Sequence, residues 1–362
     1  MIGHITTWGV QCGIAKHLSY WLSFVHHPER HIIFSEFPPV WLPSCDSFPS
    51  LSVIRCWKRG SGMGLTSVIG SIDPSIKVLH VQFDPSFFSF DDIRSFNILS
   101  SQLGVKKVFT FHSIPEWPLF AKEIHEVLRE ADVVVVGTPA MEEALVKRCG
   151  EHHIPAKRIV LIPLPAPFVP SAVAVADGKK EKGPGFPELL MWGFPSCYKR
   201  EFEVLKQVEL LLKEFPSLHC LVVGSAITKE HENTLAQMLA FSERRPWLEV
   251  RNEWLGDEEL TRLCRKADCI ILNHANQWPS SSGTVGVSIA SGTPVVISES
   301  LMFSGFEKAA ISARSDFGSA VKTALKPCEE RESEAKKAAE RISPKRIAEV
   351  YEKLYSELMG EK

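Results

Sequence analysis

No apolar run in this sequence is long enough to span a bilayer, so a membrane-spanning helix is not expected. An excess of either charge is missing too: 41 Lys+Arg stand against 43 Asp+Glu, a formal net charge of −2. That balance supplies no global basic field, and nucleic acid is not an expected partner. The nine cysteines (Cys12, Cys45, Cys56, Cys149, Cys197, Cys220, Cys264, Cys269 and Cys328) form no C-x-x-C pair, which leaves zinc and redox motifs without support. Cysteines on apolar faces behave as small hydrophobes and fit a reduced, cytoplasmic setting. The start, Met1-Ile2-Gly3-His4, lacks a basic segment followed by an apolar run, so no secretory leader is expected. Short-period repeats and low-complexity tracts are absent as well.

What is present is an ordinary globular composition, 44% apolar and 23% charged, over 362 residues, which suits two domains better than one core. Short β-branched runs alternate with helical patterns. The first half predicts strands near Ile2–Thr6, His31–Ser35, Leu51–Arg55, Val78–Gln82, Lys107–Phe111, Asp132–Val136 and Arg158–Ile162. The unbroken run Val133-Val134-Val135-Val136 reads as a parallel strand covered on both faces. Ile14, Leu18, Leu22 and Val25 recur at helical spacing, and Thr138-Pro139 combines an N-cap with a first-turn proline.

Residues 171–186, rich in Ala, Lys and Gly, interrupt this pattern and read as an exposed linker. The alternation then restarts, with strands at Glu188–Trp192, His219–Val223, Leu248–Arg251, Cys269–Leu272 and Pro294–Ser298 and helices at Glu201–Glu214 and Asp257–Lys266. The expectation is α/β with two Rossmann-like βαβ domains: 1–170, linker 171–186, and 187–342. From Glu329 the tail is helical and charged, with Ile347, Val350, Tyr351 and Leu354 on one apolar face.

Open parallel sheets bind ligands beyond the carboxyl ends of their strands. Four stretches fall there. Trp8-Gly9-Val10-Gln11-Cys12-Gly13 opens a helix at Gly13, an anion site or a plain tight turn; it is not G-x-G-x-x-G, so no dinucleotide fingerprint is present. His80-Val81-Gln82 and Thr110-Phe111-His112 put polar groups at expected strand ends, where a histidine is a structural group or a site group. Gly193-Phe194-Pro195-Ser196-Cys197-Tyr198-Lys199-Arg200 offers two cations to a diphosphate, or a solvated basic pair beginning a helix. Ser280-Ser281-Ser282-Gly283-Thr284 reads as a phosphate cradle or as a serine-rich N-cap.

Together these residues resemble glycosyltransferase family 4, whose members have the GT-B fold, two domains facing across a cleft. The match is carried by Asp257-Glu258-Glu259-Leu260, Ala267-Asp268-Cys269-Ile270-Ile271-Leu272 and Ala290-Ser291-Gly292-Thr293-Pro294-Val295-Val296, and by Trp192-Gly193, Lys199 and Leu221-Val222-Val223-Gly224. Cys12-Gly13-Ile14-Ala15, His80-Val81-Gln82 and Thr110-Phe111-His112 resemble one branch of that family. The resemblance covers nearly the whole chain. It implies a retaining, metal-independent transferase, with a nucleotide-sugar as substrate and no other cofactor. His112 would lie near the donor sugar and Lys199 on the diphosphate, these two being the catalytic candidates. Gly13, Gly193, Arg200, Ser282, Gly283, Thr284 and Glu307 would complete the donor site, with His80 and Gln82 on the acceptor side. The terminal helix, 343–362, would pack back on the first domain.

The sequence departs from that family in places. Val287 and Pro279 stand where a pair of glutamates is usual, Phe194 replaces an arginine, and Arg200 replaces a glycine. A catalytically inactive relative serving as a binding partner is therefore a second reading. A nucleotide-sugar epimerase using His80, His112 or His274 is a third. Trp254 reads as a base-stacking group or as core. The loop from Trp57 to Gly64, with Lys58 and Arg59, reads as an acceptor loop or as plain surface. With Lys106 and Lys107 it offers peripheral contact to an anionic membrane, though without an amphipathic basic helix. The acceptor (glycan, lipid-linked or small molecule), the donor base and the oligomeric state are not specified.

Overall fold

A computed structural model describes residues 1–39, 44, 49–60, 63–115, 118, 120–154, 158–167, 187–275 and 278–361. Cys45, Ser61, Gly62 and the expected linker 171–186 lie outside the described residues. Contacts divide the chain into two compact units. Unit one is Met1–Pro165 with Trp278–Ser281 and Pro344–Lys362; unit two is Ala166–Gln277 with Ser282–Ser343. The short segment Trp278–Ser281, expected in the second domain, thus belongs to the first.

Unit one is a seven-stranded sheet in the order β3-β2-β1-β4-β5-β6-β7. The strands are β1 Ile2–Thr6, β2 His31–Glu36, β3 Ser52–Trp57, β4 Val78–Phe83, β5 Lys106–Phe111, β6 Val133–Val136 and β7 Arg158–Leu161. All pairings are parallel. β1, β4 and β6 are buried along their whole length, which is why they read as near-continuous apolar runs. The run is not wholly apolar, however. His4, His80, Gln82 and Thr110 sit at buried positions of the central strands. Because side chains alternate faces, His80 and Gln82 share one face of β4.

That face is covered by α1, Gly13–Leu22, and by the terminal helix, Pro344–Met359. The terminal helix has proline at its first position and buries Ile347, Ala348, Tyr351, Leu354 and Tyr355, the i, i+4, i+7 stripe expected of a docked helix. Tyr351 stacks on Trp21 of α1 with ring centroids 4.5 Å apart. Such a pair adds about 0.5–1.5 kcal/mol beyond the burial of its area.

Unit two repeats the plan with six parallel strands in the order β10-β9-β8-β11-β12-β13. These are β8 Glu188–Trp192, β9 His219–Gly224, β10 Leu248–Asn252, β11 Cys269–Leu272, β12 Val295–Ile297 and β13 Ile311–Ser312. β13 is too short to register as a sequence pattern. Both sheets have the doubly wound order, reversing direction between β1 and β4 in one and between β8 and β11 in the other. Those reversals are where such sheets open a crevice for ligands. Among the described residues no helix is long and apolar enough to cross a membrane.

Candidate functional site

In unit two the loop after β8 occupies the switch point. Gly193 adopts φ +112°, a conformation side chains rarely allow. A Cβ there would lie 2.6 Å from Lys199 Nζ and 3.1 Å from Thr284 Cγ2. The glycine therefore leaves room for the lysine ammonium and brings two distant sequence motifs to one point. Gly224, ending β9, is matched to it: a Cβ on Gly224 would strike the Gly193 carbonyl oxygen. The loop is pinned from the side by Glu230, whose carboxylate accepts from Ser196 Oγ at 2.8 Å and from the Cys197 N–H at 3.2 Å.

Lys199 closes a 3-10 turn, Cys197–Lys199, and is 7% exposed. Its ammonium makes no hydrogen bond or ion pair among the described residues. Burial holds its pKa down to about 8, the nearby Glu201 carboxylate partly opposing that shift. Glu201, also buried, is pushed up by desolvation and pulled back by Lys199. A small cavity of about 20 Å³, room for a water and no more, lies among Gly193, Lys199, Glu201, Asn273 and His274. His274 is buried, and its Nδ1 has no hydrogen-bond partner among the described residues. Desolvation, and secondarily Lys199, keep this ring well below its ordinary pKa and so neutral.

The expected basic pair is split. Arg200 is exposed, takes a left-handed backbone (φ 47°) as it begins the helix Glu201–Leu211, and stands 3.9 Å from Glu203. The cradle is split as well. Ser282, Gly283 and Thr284 open the helix Gly283–Ala290 in unit two; Ser282 Oγ bonds Thr284 Oγ1 at 2.8 Å and neither hydroxyl caps the helix. The first-turn N–H groups are thus left for water or a ligand. Glu307 is exposed on a turn, its carboxylate accepting from the Gly305 N–H at 2.9 Å. Val287 is buried inside the helix. Trp254 is not core: half-buried, it lies 5.6 Å from Phe194, which stacks on His231 at 5.5 Å.

In unit one the cradle's other half meets His112. The Ser281 N–H donates to the His112 carbonyl at 3.2 Å, the Ile114 N–H to the Pro279 carbonyl at 2.8 Å, and Ser280 bridges Ser113. The His112 ring is buried and its Nε2 lies 2.9 Å from Gln82 Oε1. His17 of α1 faces it nearly parallel at 6.1 Å. Burial lowers His112 to about 4 and His17 to about 3, so both are neutral near pH 7. His17 Nδ1 and Ser280 Oγ are buried without partners among the described residues. Gly13 is exposed at the open N-terminus of α1.

His80 corrects an expectation. It is the third residue of β4 rather than its end, wholly buried, with Nδ1 2.6 Å from Tyr355 Oη and Nε2 2.7 Å from Thr110 Oγ1. It cannot touch an acceptor from there. Gln82 stands between His80 and His112. Sequence reasoning missed His17 and the two tyrosine hydroxyls; the signal for the latter was a pair of phenols spaced i, i+4 on an otherwise apolar stripe. A larger cavity, about 240 Å³, opens beside Ile2, His31 and Tyr355 at the amino ends of β1 and β2, the end of such sheets that does not bind ligands.

Solved structures with the same chain path settle the architecture. A glycosyltransferase from Rickettsia africae superposes with a TM-score of 0.69 at 12% identity, covering 100% of this chain and 99% of its own. α,α-Trehalose-6-phosphate synthase from Burkholderia multivorans gives 0.69 at 12% identity, covering 99% and 96%. Anabaena HepE, solved with UDP and glucose, gives 0.70 at 12% identity, covering 98% and 99%. The fold is GT-B. No protein-family model and no curated protein sequence matches the chain. In GT-B terms unit one is the amino-terminal Rossmann-like domain with the terminal helix docked on it, and unit two is the carboxyl-terminal one.

Proposed function

We propose that the chain is a glycosyltransferase that takes a nucleotide-diphosphate sugar and passes the sugar to a hydroxyl acceptor, with retention and without a metal. The supporting observation is Lys199: a buried ammonium, unpaired among the described residues, in the switch-point loop of a GT-B carboxyl-terminal domain, next to the open helix end at Thr284. A buried unpaired cation is costly, and a diphosphate would offset that cost. Arg200 and the amides of Ser282 to Thr284 would share the charge. His112 would meet the donor sugar, as the resemblance implies. HepE and the trehalose-6-phosphate synthase are solved relatives of this fold, and UDP bound to HepE makes UDP the first probe.

In this reading the acceptor oxygen attacks the anomeric carbon from the face the diphosphate leaves. The bond from that carbon to the phosphate oxygen breaks, and the hydroxyl proton passes to the departing phosphate. Fixed donors aimed at the developing charge are a large source of rate. Removing one, as in Lys199→Ala, is expected to cost about 2.7–4 kcal/mol of barrier.

The test is calorimetric titration with UDP, GDP and ADP against the wild type and Lys199→Ala. Selective binding that the variant loses supports the donor site and identifies its base. Binding by none of the three removes the reading. It would favour the inactive-partner alternative, which rests on Val287 and Pro279 standing where acidic residues are usual. The epimerase reading is weakened by burial: His80, His112 and His274 are all held well below their ordinary pKa, which makes each a weak base, and His80 is wholly buried.

A further inference from the structure

A chain of side-chain contacts runs from the terminal helix to His112 entirely within unit one. Tyr355 Oη lies 2.6 Å from His80 Nδ1. His80 Nε2 lies 2.7 Å from Thr110 Oγ1 and 3.1 Å from Gln82 Nε2. Gln82 Oε1 lies 2.9 Å from His112 Nε2. Tyr351 Oη closes on Thr110 Oγ1 at 3.3 Å. All six residues are buried, and His112 Nδ1 makes no hydrogen bond among the described residues. We propose that Tyr355 is a positioning residue which, through His80 and Gln82, fixes the tautomer of His112 and so decides whether its free nitrogen accepts or donates.

Donors and acceptors along this chain must complement one another. A glutamine amide has a donating end and an accepting end, and a neutral imidazole has one nitrogen of each kind. With the amide as placed, its NH₂ faces His80, so His80 Nε2 is bare and its hydrogen sits on Nδ1, donating to Tyr355. The amide oxygen then needs a donor, so His112 carries its hydrogen on Nε2 and presents a bare Nδ1. Turning the amide over reverses every assignment. In either order the two histidines hold opposite tautomers, and neither can change alone. Both rings are neutral at ordinary pH because burial lowers them, His80 to about 3 and His112 to about 4.

Tyr355→Phe removes the only acceptor of the His80 Nδ1–H among the described residues. A buried donor without a partner is disfavoured. His80 then moves its hydrogen to Nε2, where Thr110 accepts it. Gln82 turns over, and His112 becomes the Nδ1–H form. Under the proposed function, on which this consequence rests, a nitrogen that accepted a sugar hydroxyl becomes a donor facing it. The phenol thus acts on the sugar from behind two intervening side chains.

The test uses the full-length protein labelled with ¹⁵N-histidine. Two-bond proton–nitrogen correlations report which nitrogen carries the hydrogen, with His80→Asn and His112→Asn assigning the signals. Opposite tautomers in the wild type, and inversion of both in Tyr355→Phe, are expected. In a Gln82→Leu background Tyr355→Phe should leave His112 unmoved. Finding both histidines in the same tautomer, or an unchanged His112 in Tyr355→Phe, overturns the proposal. Titration with UDP-glucose and UDP separates this from the functional reading: Tyr355→Phe should weaken UDP-glucose roughly tenfold, the scale of one lost hydrogen bond, and leave UDP alone. Failure of the wild type to bind UDP, GDP or ADP would remove the functional reading and leave the tautomer result standing.

Discussion

The two units share a strand order and differ in what they do with buried polar groups. On the face of unit one under the terminal helix they pair with each other: His4 Nε2 meets His31 Nδ1 at 2.8 Å, and His80, Thr110, Gln82, Tyr351 and Tyr355 satisfy one another, while elsewhere in the unit His17 Nδ1 and Ser280 Oγ have no partner among the described residues. Unit two leaves Lys199 buried with no partner among the described residues. A satisfied network rigidifies the face it lies on, whereas a buried charge without a partner is costly. One sheet thus carries a face of mutually paired polar groups, and the other a buried ammonium that stays open among the described residues.

Acid should break this comparison most sharply. Burial holds His80 and His17 at about 3 and His112 and His31 at about 4, and His4 well below its usual range. In the unfolded chain these rings titrate near 6.5. Below that pH the unfolded state binds more protons, so their contribution is full above about 6.5 and is lost as pH falls toward 3–4. Hydrogen exchange at pH 7, 5.5 and 4.5 should show amides of β1, β4 and β5 losing protection before those of β8, β9 and β11. Simultaneous loss would mean that the histidine network does not set the stability of unit one.

A second difference lies in one glycine. Gly193→Ala would force a side chain into φ +112° and into the space of Lys199. Strain of about 1–3 kcal/mol adds to overpacking of about 1–3 kcal/mol. The denaturation midpoint of unit two should fall, UDP affinity with it, while exchange in unit one stays as it was. An unperturbed Gly193→Ala protein would show that the ammonium does not depend on this backbone.

Much of this was legible in the sequence. The strand and helix alternation, the run Val133–Val136, the Thr138 cap and the stripe on the terminal helix all follow from periodicity, and each stands where it was expected. The site was legible only in part, because residue type does not report burial. Lys199 and Arg200 read as one basic pair, yet a left-handed turn at Arg200 sends one in and one out. His80 and His112 read as equivalent, yet they differ by position along their strands: His80 is mid-strand under two helices, and His112 follows the end of β5. Tyr355 lay within an apolar stripe, and only three-dimensional register shows that its hydroxyl faces His80.

The finest test of the contrast concerns the charge that unit two leaves open. Lys199 is lowered to about 8, so its ammonium persists below that pH and is lost above it. Folding stability from this group rises with pH between about 8 and the unfolded value near 10.4, because there the unfolded chain binds more protons. Anion affinity runs the other way: it is full below about 8 and declines as pH rises, with bound UDP drawing the midpoint upward. Glu201 raises the lysine pKa, so Glu201→Gln should move that midpoint down. The shift is small because desolvation, not Glu201, is the larger cause. UDP titrations from pH 6.5 to 9.5 on wild type and Glu201→Gln measure it. A midpoint that stays in place would mean that solvent screens the pair, and that the lysine answers to its burial alone.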